Sequence, residues 1–149
     1  MTSDHRRVLV VDDDPVVRQI LVAAMRQKPL IIDEAEDGQQ AIALLREHSY
    51  GVIVLDLLMP GVNGFGVLDF IDETAANAPV VLVVSGAGRN VIDAVDSRRV
   101  HGIIRKPFVP QEVAAVVAAC AEIRNRSAFE TMALATMISG APLIALLKL

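Results

Sequence analysis

One cysteine, Cys120, stands in 149 residues, so no internal disulfide can form and the chain suits a reducing compartment. Basic charge is not in excess. Eighteen acids against 14 bases give a net charge of −4, which argues against sequence-independent nucleic-acid binding through bulk charge. Nine glycines, seven prolines and 53% apolar residues exclude a disordered or collagen-like chain. The opening stretch, MTSDHRR, has no apolar run followed by a cleavage site, so no secretory signal is expected and the location is expected to be cytoplasmic. His5, His48 and His101 are scattered without metal-ligand spacing. The glycines at 61, 64 and 66 have the wrong order and place for a dinucleotide loop. The length fits one domain, able to bury roughly two-thirds of its unfolded surface.

Short apolar runs alternate with longer amphipathic segments. A first strand, β1, is expected at residues 8–11, running into Asp12, Asp13 and Asp14. Asp14 and Pro15 read as N-cap and first residue of a helix, α1, with Val16, Val17, Ile20, Leu21, Ala24 and Met25 on one buried face. A weaker strand, β2, follows at 30–32. Helix α2 covers 38–48, burying Ala41, Ile42, Leu44 and Leu45; strand β3 covers 51–55; and helix α3, after a Pro60-Gly61 turn, covers 64–74. Strand β4 at 79–84 leads through a glycine loop to a short helix, α4, near 90–98. Strand β5 at 101–105 and helix α5 at 110–124 complete the pattern. Strands of continuous rather than alternating apolar character imply a parallel sheet covered on both faces, and right-handed crossovers leave few ways to wind it. The fold class is α/β, a flavodoxin-like (βα)5 doubly wound sheet with expected strand order 2-1-3-4-5.

Such a sheet places its functional crevice at the carboxyl ends of the strands. Those ends carry Asp12 and Asp13, Asp56, Ser85 and Lys106. Packing does not ask for three acids on one rim, because clustered carboxylates repel and raise each other's pKa. A divalent cation removes the repulsion, and oxygen-only ligands in a small hydrated site suggest Mg²⁺. Asp56 is placed to attack a phosphoryl group and form an aspartyl phosphate. Lys106 would neutralise charge on the transferring oxygens and Ser85 would donate a hydrogen bond to one of them. Gly86 leaves room where a side chain would crowd an incoming phosphoryl group, and Lys106-Pro107 is a candidate cis bond.

The motifs VLVVDDDP at 8–15, VLDLLMPGVNG at 54–64, VVSG at 83–86 and KPF at 106–108, in that order, resemble the receiver domain of two-component response regulators over residues 7 to about 124. The resemblance implies Asp56 as phosphoacceptor, with Asp12, Asp13, Asp56 and the backbone carbonyl of Leu58 serving Mg²⁺. It implies Ser85 as the switch hydroxyl and Lys106 as the lysine that bridges to the phosphoryl group. It further implies a signalling switch rather than an enzyme with a separate substrate, loaded by a histidine kinase or histidine phosphotransfer protein and read out through the α4–β5–α5 face. One position departs from the pattern. Three residues before the lysine the family usually carries an aromatic, and here stands Ile103, so the usual inward turn of that ring cannot operate unchanged. His101 has the same facing as Ile103 in a regular strand.

Residues 1–6 are an N-terminal extension, 7–124 the receiver unit and 125–149 an apolar tail. Ser127 and Glu130 form a capping box for a helix to about 138, broken by Gly140 and Pro142 before a second apolar piece. The uncharged stretch 131–147 reaches the ~17–25 residues of a membrane span, but the glycine, the proline and the small polar residues argue against one. The tail is expected to pack on the receiver, to join two chains, or to begin an output domain; a homodimer would form through it or through α4–β5–α5. No helix-turn-helix accompanies the dispersed arginines, so no direct nucleic-acid binding is expected. Two other readings remain at this level. A phosphatase of the haloacid-dehalogenase type would use Asp12 and Asp14, but lacks a cap domain and leaves Asp56, Ser85 and Lys106 unused. A phosphate-independent scaffold with the receiver fold would account for Ile103. Cys120 reads as a small buried apolar residue.

Overall fold

Strand and helix alternate strictly: β1 (Arg7–Val11), α1 (Pro15–Met25), β2 (Ile31–Ala35), α2 (Gly38–Glu47), β3 (Val52–Leu55), α3 (Gly64–Glu73), β4 (Val80–Ser85), α4 (Arg89–Asp93), β5 (Gly102–Arg105) and α5 (Pro110–Ile123). A computed structural model of the chain describes residues 5–74 and 78–123; the expected tail helix and second apolar piece lie outside the described residues. The sheet is parallel throughout, in the order β2-β1-β3-β4-β5. This is the flavodoxin-like (βα)5 arrangement and strand order read from the sequence.

Alternate strand residues divide the core between the two faces. Val8, Val10, Val52, Val54, Leu82 and Val84 meet α1 and α5 through Leu21, Met25, Val113, Val117 and Cys120. Leu9, Val11, Ile53, Leu55, Val81 and Val83 meet α2 and α3 through Ala41, Val67, Leu68 and Ile71. With both faces covered, every residue of β3 and β4 is buried, which explains their unbroken apolar runs. Cys120 is wholly buried and its thiol is pushed up to about 12 by that burial. Among the described residues no helix is long and apolar enough to cross a membrane.

Several local expectations are corrected. Val16 and Ile20 are 60% and 44% exposed, and α1 instead buries Leu21, Val22, Ala24 and Met25. Val16 and Ile20, four residues apart, share a ridge at the solvent edge of the apolar stripe, whereas Val17 in the same first turn packs against the core with Leu21, Ala24 and Met25. Of the four α2 positions expected inside, Ala41 alone is fully buried, because α2 lies beside the sheet edge formed by β2. Helix α4 stops at Asp93 rather than near 98: the Asp96 side chain accepts from Arg98 N at 2.9 Å, forming a turn that competes with the helix. Arg99 then pairs with Asp69 and Asp72 of α3, at 2.6 Å each.

Strand β2 is longer than its apolar content suggested, because Asp33 and Glu34 continue it. Polar residues suit an edge strand, and Asp33 is held from two sides. Arg7 Nε donates to its Oδ2 at 2.8 Å and the Tyr50 hydroxyl donates to the same oxygen at 2.6 Å. Burial pushes the Asp33 carboxyl up, but these two donors outweigh it and hold the group below its ordinary value. The network's stabilisation is therefore complete above the unfolded carboxylate value near ~3.9 and is lost as pH falls through the lower folded value. Tyr50→Phe should cost about 1.5 kcal/mol at neutral pH, read by urea unfolding, with the difference shrinking in acid.

Candidate functional site

Parallel strands bring their carboxyl ends to one rim, and the structure gathers there the residues singled out in the sequence. Asp12 continues the ladder beyond β1, its N–H donating to Ala35 O at 3.2 Å. Its side chain is almost wholly enclosed, at 2% exposure, whereas Asp13 beside it is exposed. Asp14 turns away to cap α1, its Oδ1 accepting from Val16 N at 2.9 Å. That employment of Asp14 removes the second acid a dehalogenase-type phosphatase would need.

Asp56 follows β3 and is 6% exposed. Its backbone N–H donates to Val11 O at 3.0 Å, fixing the two acidic strand ends side by side. Oδ1 accepts from Ser85 Oγ at 3.1 Å and from Leu58 N at 3.3 Å; Oδ2 faces Lys106 Nζ at 3.4 Å. The loop after Asp56 is closed by backbone contact: Gly64 N donates to Leu57 O, and a Cβ on Gly64 would lie 2.5 Å from Asp56 O. Only glycine permits that approach. The side chain of Leu58 is exposed.

Ser85 is the last residue of β4 and buried; its Oγ also accepts from Ala87 N at 3.1 Å. Lys106 N donates to Ser85 O at 3.1 Å, and the following bond to Pro107 is cis. Its Nζ reaches Asp12 Oδ2 at 2.9 Å, so one ammonium is shared between Asp12 and Asp56. At Gly86 a Cβ would find only ordinary contact, 3.8 Å from Lys106 Cβ and Cδ; protein packing alone does not demand glycine there.

Oxygens of Asp12, Asp13 and Asp56 all lie within 4.8 Å of one another. Burial pushes the Asp12 carboxyl up, with the charge of Asp56 adding to it, and the Lys106 and Asp14 hydrogen bonds only partly reverse this. Burial lowers Lys106, yet its bond to Asp12 and the charges of Asp56 and Asp12 leave it raised. Both partners are thus raised, which disfavours the charged form of Asp12 and favours that of Lys106. Asp12 is the deeper group, and a shared ammonium does not offset its desolvation. Three carboxylates against one ammonium leave the site short of positive charge, and their hard oxygen donors fit a small divalent cation such as Mg²⁺.

Two further positions complete the picture. Ile103 is half-buried and packs into the α2–α3 side of the core, as do Val91 and Val95. His101 precedes β5, and its Nδ1 accepts from Val81 N at 3.0 Å. The imidazole therefore serves the sheet and does not replace the missing aromatic. Sequence reasoning missed Arg18, whose Nη1 donates to the carbonyl of Asp12 at 2.7 Å. An arginine one turn into an amphipathic helix carries no signal that separates it from a solvated charge.

The profile of the response regulator receiver domain matches residues 8–118. ResD of Bacillus subtilis, a transcriptional regulatory protein, is 36% identical over 111 residues, covering 74% of this chain and 46% of that protein. SrrA of Staphylococcus aureus, also a transcriptional regulatory protein, is 32% identical over 106 residues, covering 71% of this chain and 44% of that one. The chain thus aligns with less than half the length of these relatives. The solved receiver domain of Francisella response regulator 1452 superposes with a TM-score of 0.70 at 26% identity, covering 80% of this chain and 98% of that one.

Proposed function

The chain belongs to the response regulator receiver domain family of two-component systems, and from that membership we propose that it accepts a phosphoryl group from a phosphohistidine protein onto Asp56. The observation that carries this reading is the convergence on one buried carboxylate of Ser85 Oγ, Lys106 Nζ and two further acids. An Asp56 oxygen forms the new O–P bond as the N–P bond to the donor imidazole breaks. Lys106, now divided between two carboxylates, is within reach of the arriving phosphoryl oxygens. Ser85, bonded to Asp56 before transfer, has a hydroxyl free to rotate toward one of them. Asp12, Asp13, Asp56 and the Leu58 carbonyl would hold Mg²⁺. The bound cation would supply the positive charge that the three acids and the incoming group require.

The donor would be a histidine kinase or a histidine phosphotransfer protein. Exposed apolar side chains border the site along the chain: Val16 in the first turn of α1, Leu58 two residues after Asp56, and Val109 three residues after Lys106. Apolar residues exposed around a site suit a protein partner. Val16→Asn combined with Val109→Asn should slow transfer from a phosphorylated histidine phosphotransfer protein by about tenfold, while labelling by acetyl phosphate stays unchanged. Equal slowing with both donors would place these side chains in the chemistry instead of the docking. In this reading residues 7–124 are the receiver unit of a cytoplasmic switch, α4–β5–α5 carries the output, and 125–149 serves contacts with another protein or a second copy.

A phosphate-independent scaffold is the second reading, favoured by Ile103 alone. A branched aliphatic packed into the core has no ring to swing inward when Ser85 moves. Partner binding indifferent to acetyl phosphate would select it.

A further inference from the structure

Arg18 is the fourth residue of α1 and its side chain is 15% exposed. Nη1 donates to the Asp12 carbonyl at 2.7 Å, and Nε lies 3.3 Å from Glu34 Oε1 on β2. The guanidinium therefore ties three elements together at the point where β1 gives way to the acidic turn. The Asp12 carbonyl belongs to the peptide that joins Asp12 to Asp13, and the direction of that peptide aims both side chains. The Asp12 carboxylate has holds of its own, from Asp14 N at 2.9 Å and Lys106 Nζ at 2.9 Å. Asp13 has none: among the described residues no hydrogen bond or ion pair restrains its carboxylate. Its place in the acidic cluster depends on the backbone, and the side-chain bond to that backbone comes from Arg18.

We infer that Arg18 is a positioning residue for the acidic cluster, fixing the Asp12–Asp13 peptide so that both carboxylates meet a divalent cation together with Asp56. The inference rests on the phosphoacceptor reading and its Mg²⁺ requirement. Geometry and charge make opposite demands here, which gives the idea a sharp test. A guanidinium near the cluster repels a divalent cation, so removing it as a charge would tighten binding. Removing it as a positioning group would loosen binding, by roughly tenfold or more for a partner that orients ligands from behind.

The experiment is calorimetric titration of the full chain with Mg²⁺ alone, without a phosphoryl donor, on the parent, Arg18→Ala and Arg18→Lys. Arg18→Ala is expected to bind Mg²⁺ roughly tenfold more weakly. Arg18→Lys, which keeps one donor for the Asp12 carbonyl but cannot also reach Glu34 as a planar fork does, is expected to recover part of the loss. Binding by Arg18→Ala equal to or tighter than the parent overturns the inference while leaving the phosphoacceptor reading intact. Should Arg18→Ala not fold, Arg18→Lys decides: weaker Mg²⁺ binding supports the positioning role and unchanged binding overturns it. A parent chain that takes up no Mg²⁺ at millimolar concentration overturns the phosphoacceptor reading, and this inference with it.

Discussion

Asp56→Asn should take up no phosphoryl group, its labelling by acetyl phosphate falling by more than about 10³-fold, while its fold and stability survive. The amide keeps the size of the carboxyl, and its oxygen can still accept from Ser85 Oγ and Leu58 N, which meet Oδ1 at 3.1 and 3.3 Å. What disappears is the nucleophilic charge. Stability in Mg²⁺-free buffer should be unchanged or higher, because Asp56 is one of the charges pushing the Asp12 carboxyl up. Active sites hold such repulsion for function at some expense in stability. Intact mass and urea unfolding on the same sample check both halves. A phosphorylated Asp56→Asn chain would make Asp12 or Asp13 the acceptor.

Lys106→Ala has effects of opposite sign in two assays. Phosphoryl uptake should fall by about 10²-fold or more, because no ammonium remains to meet the developing charge on the transferring oxygens. Mg²⁺ binding should be retained or tightened, since the ammonium competes with the cation for Asp12 and Asp56. Without Mg²⁺ the variant should be less stable by about 1–3 kcal/mol, the cost of leaving two buried carboxylates without their countercharge. The pH dependence follows from Asp12. Its folded carboxyl sits above the ordinary value, so its contribution is present in acid and is lost as pH rises through the folded value. Lys106→Ala should deepen that loss, and added Mg²⁺ should repair it. A variant that loses Mg²⁺ binding along with phosphorylation would mean that the lysine organises the acids rather than neutralising charge.

The alternation of apolar runs and amphipathic segments was enough to give a parallel sheet covered on both faces, because strands buried on both faces leave a signal that helices on both faces explain; the strand order was an expectation for that fold class, and the structure has it. The Asp14-Pro15 cap was equally plain, since an acid before a proline has a local backbone reason to be there. The site was legible for a related reason: in a parallel sheet the strand ends share a rim, so Asp12, Asp13, Asp56, Ser85 and Lys106 could be placed together from position alone. Harder to read were features decided by the distance between elements. Val16 and Ile20 carry the helical period of buried residues, yet they share the ridge of α1 that faces solvent while Val17, Leu21 and Ala24 face the core. Strand β2 was expected to end at residue 32, and the partners that hold Asp33 within it, Arg7 and Tyr50, are remote in sequence. Arg18 was invisible because one partner is a backbone carbonyl, which has no letter of its own, and the other, Glu34, is remote in sequence. The end of α4 at Asp93 depends on a side-chain turn at Asp96 that propensity does not weigh.

Intact mass of the parent chain after incubation with acetyl phosphate, with Mg²⁺ and again with a chelator, tests the central claim most directly. The account predicts one phosphoryl adduct with Mg²⁺, absent with chelator and absent from Asp56→Asn. No adduct with Mg²⁺ present, or an adduct indifferent to the chelator, would contradict it.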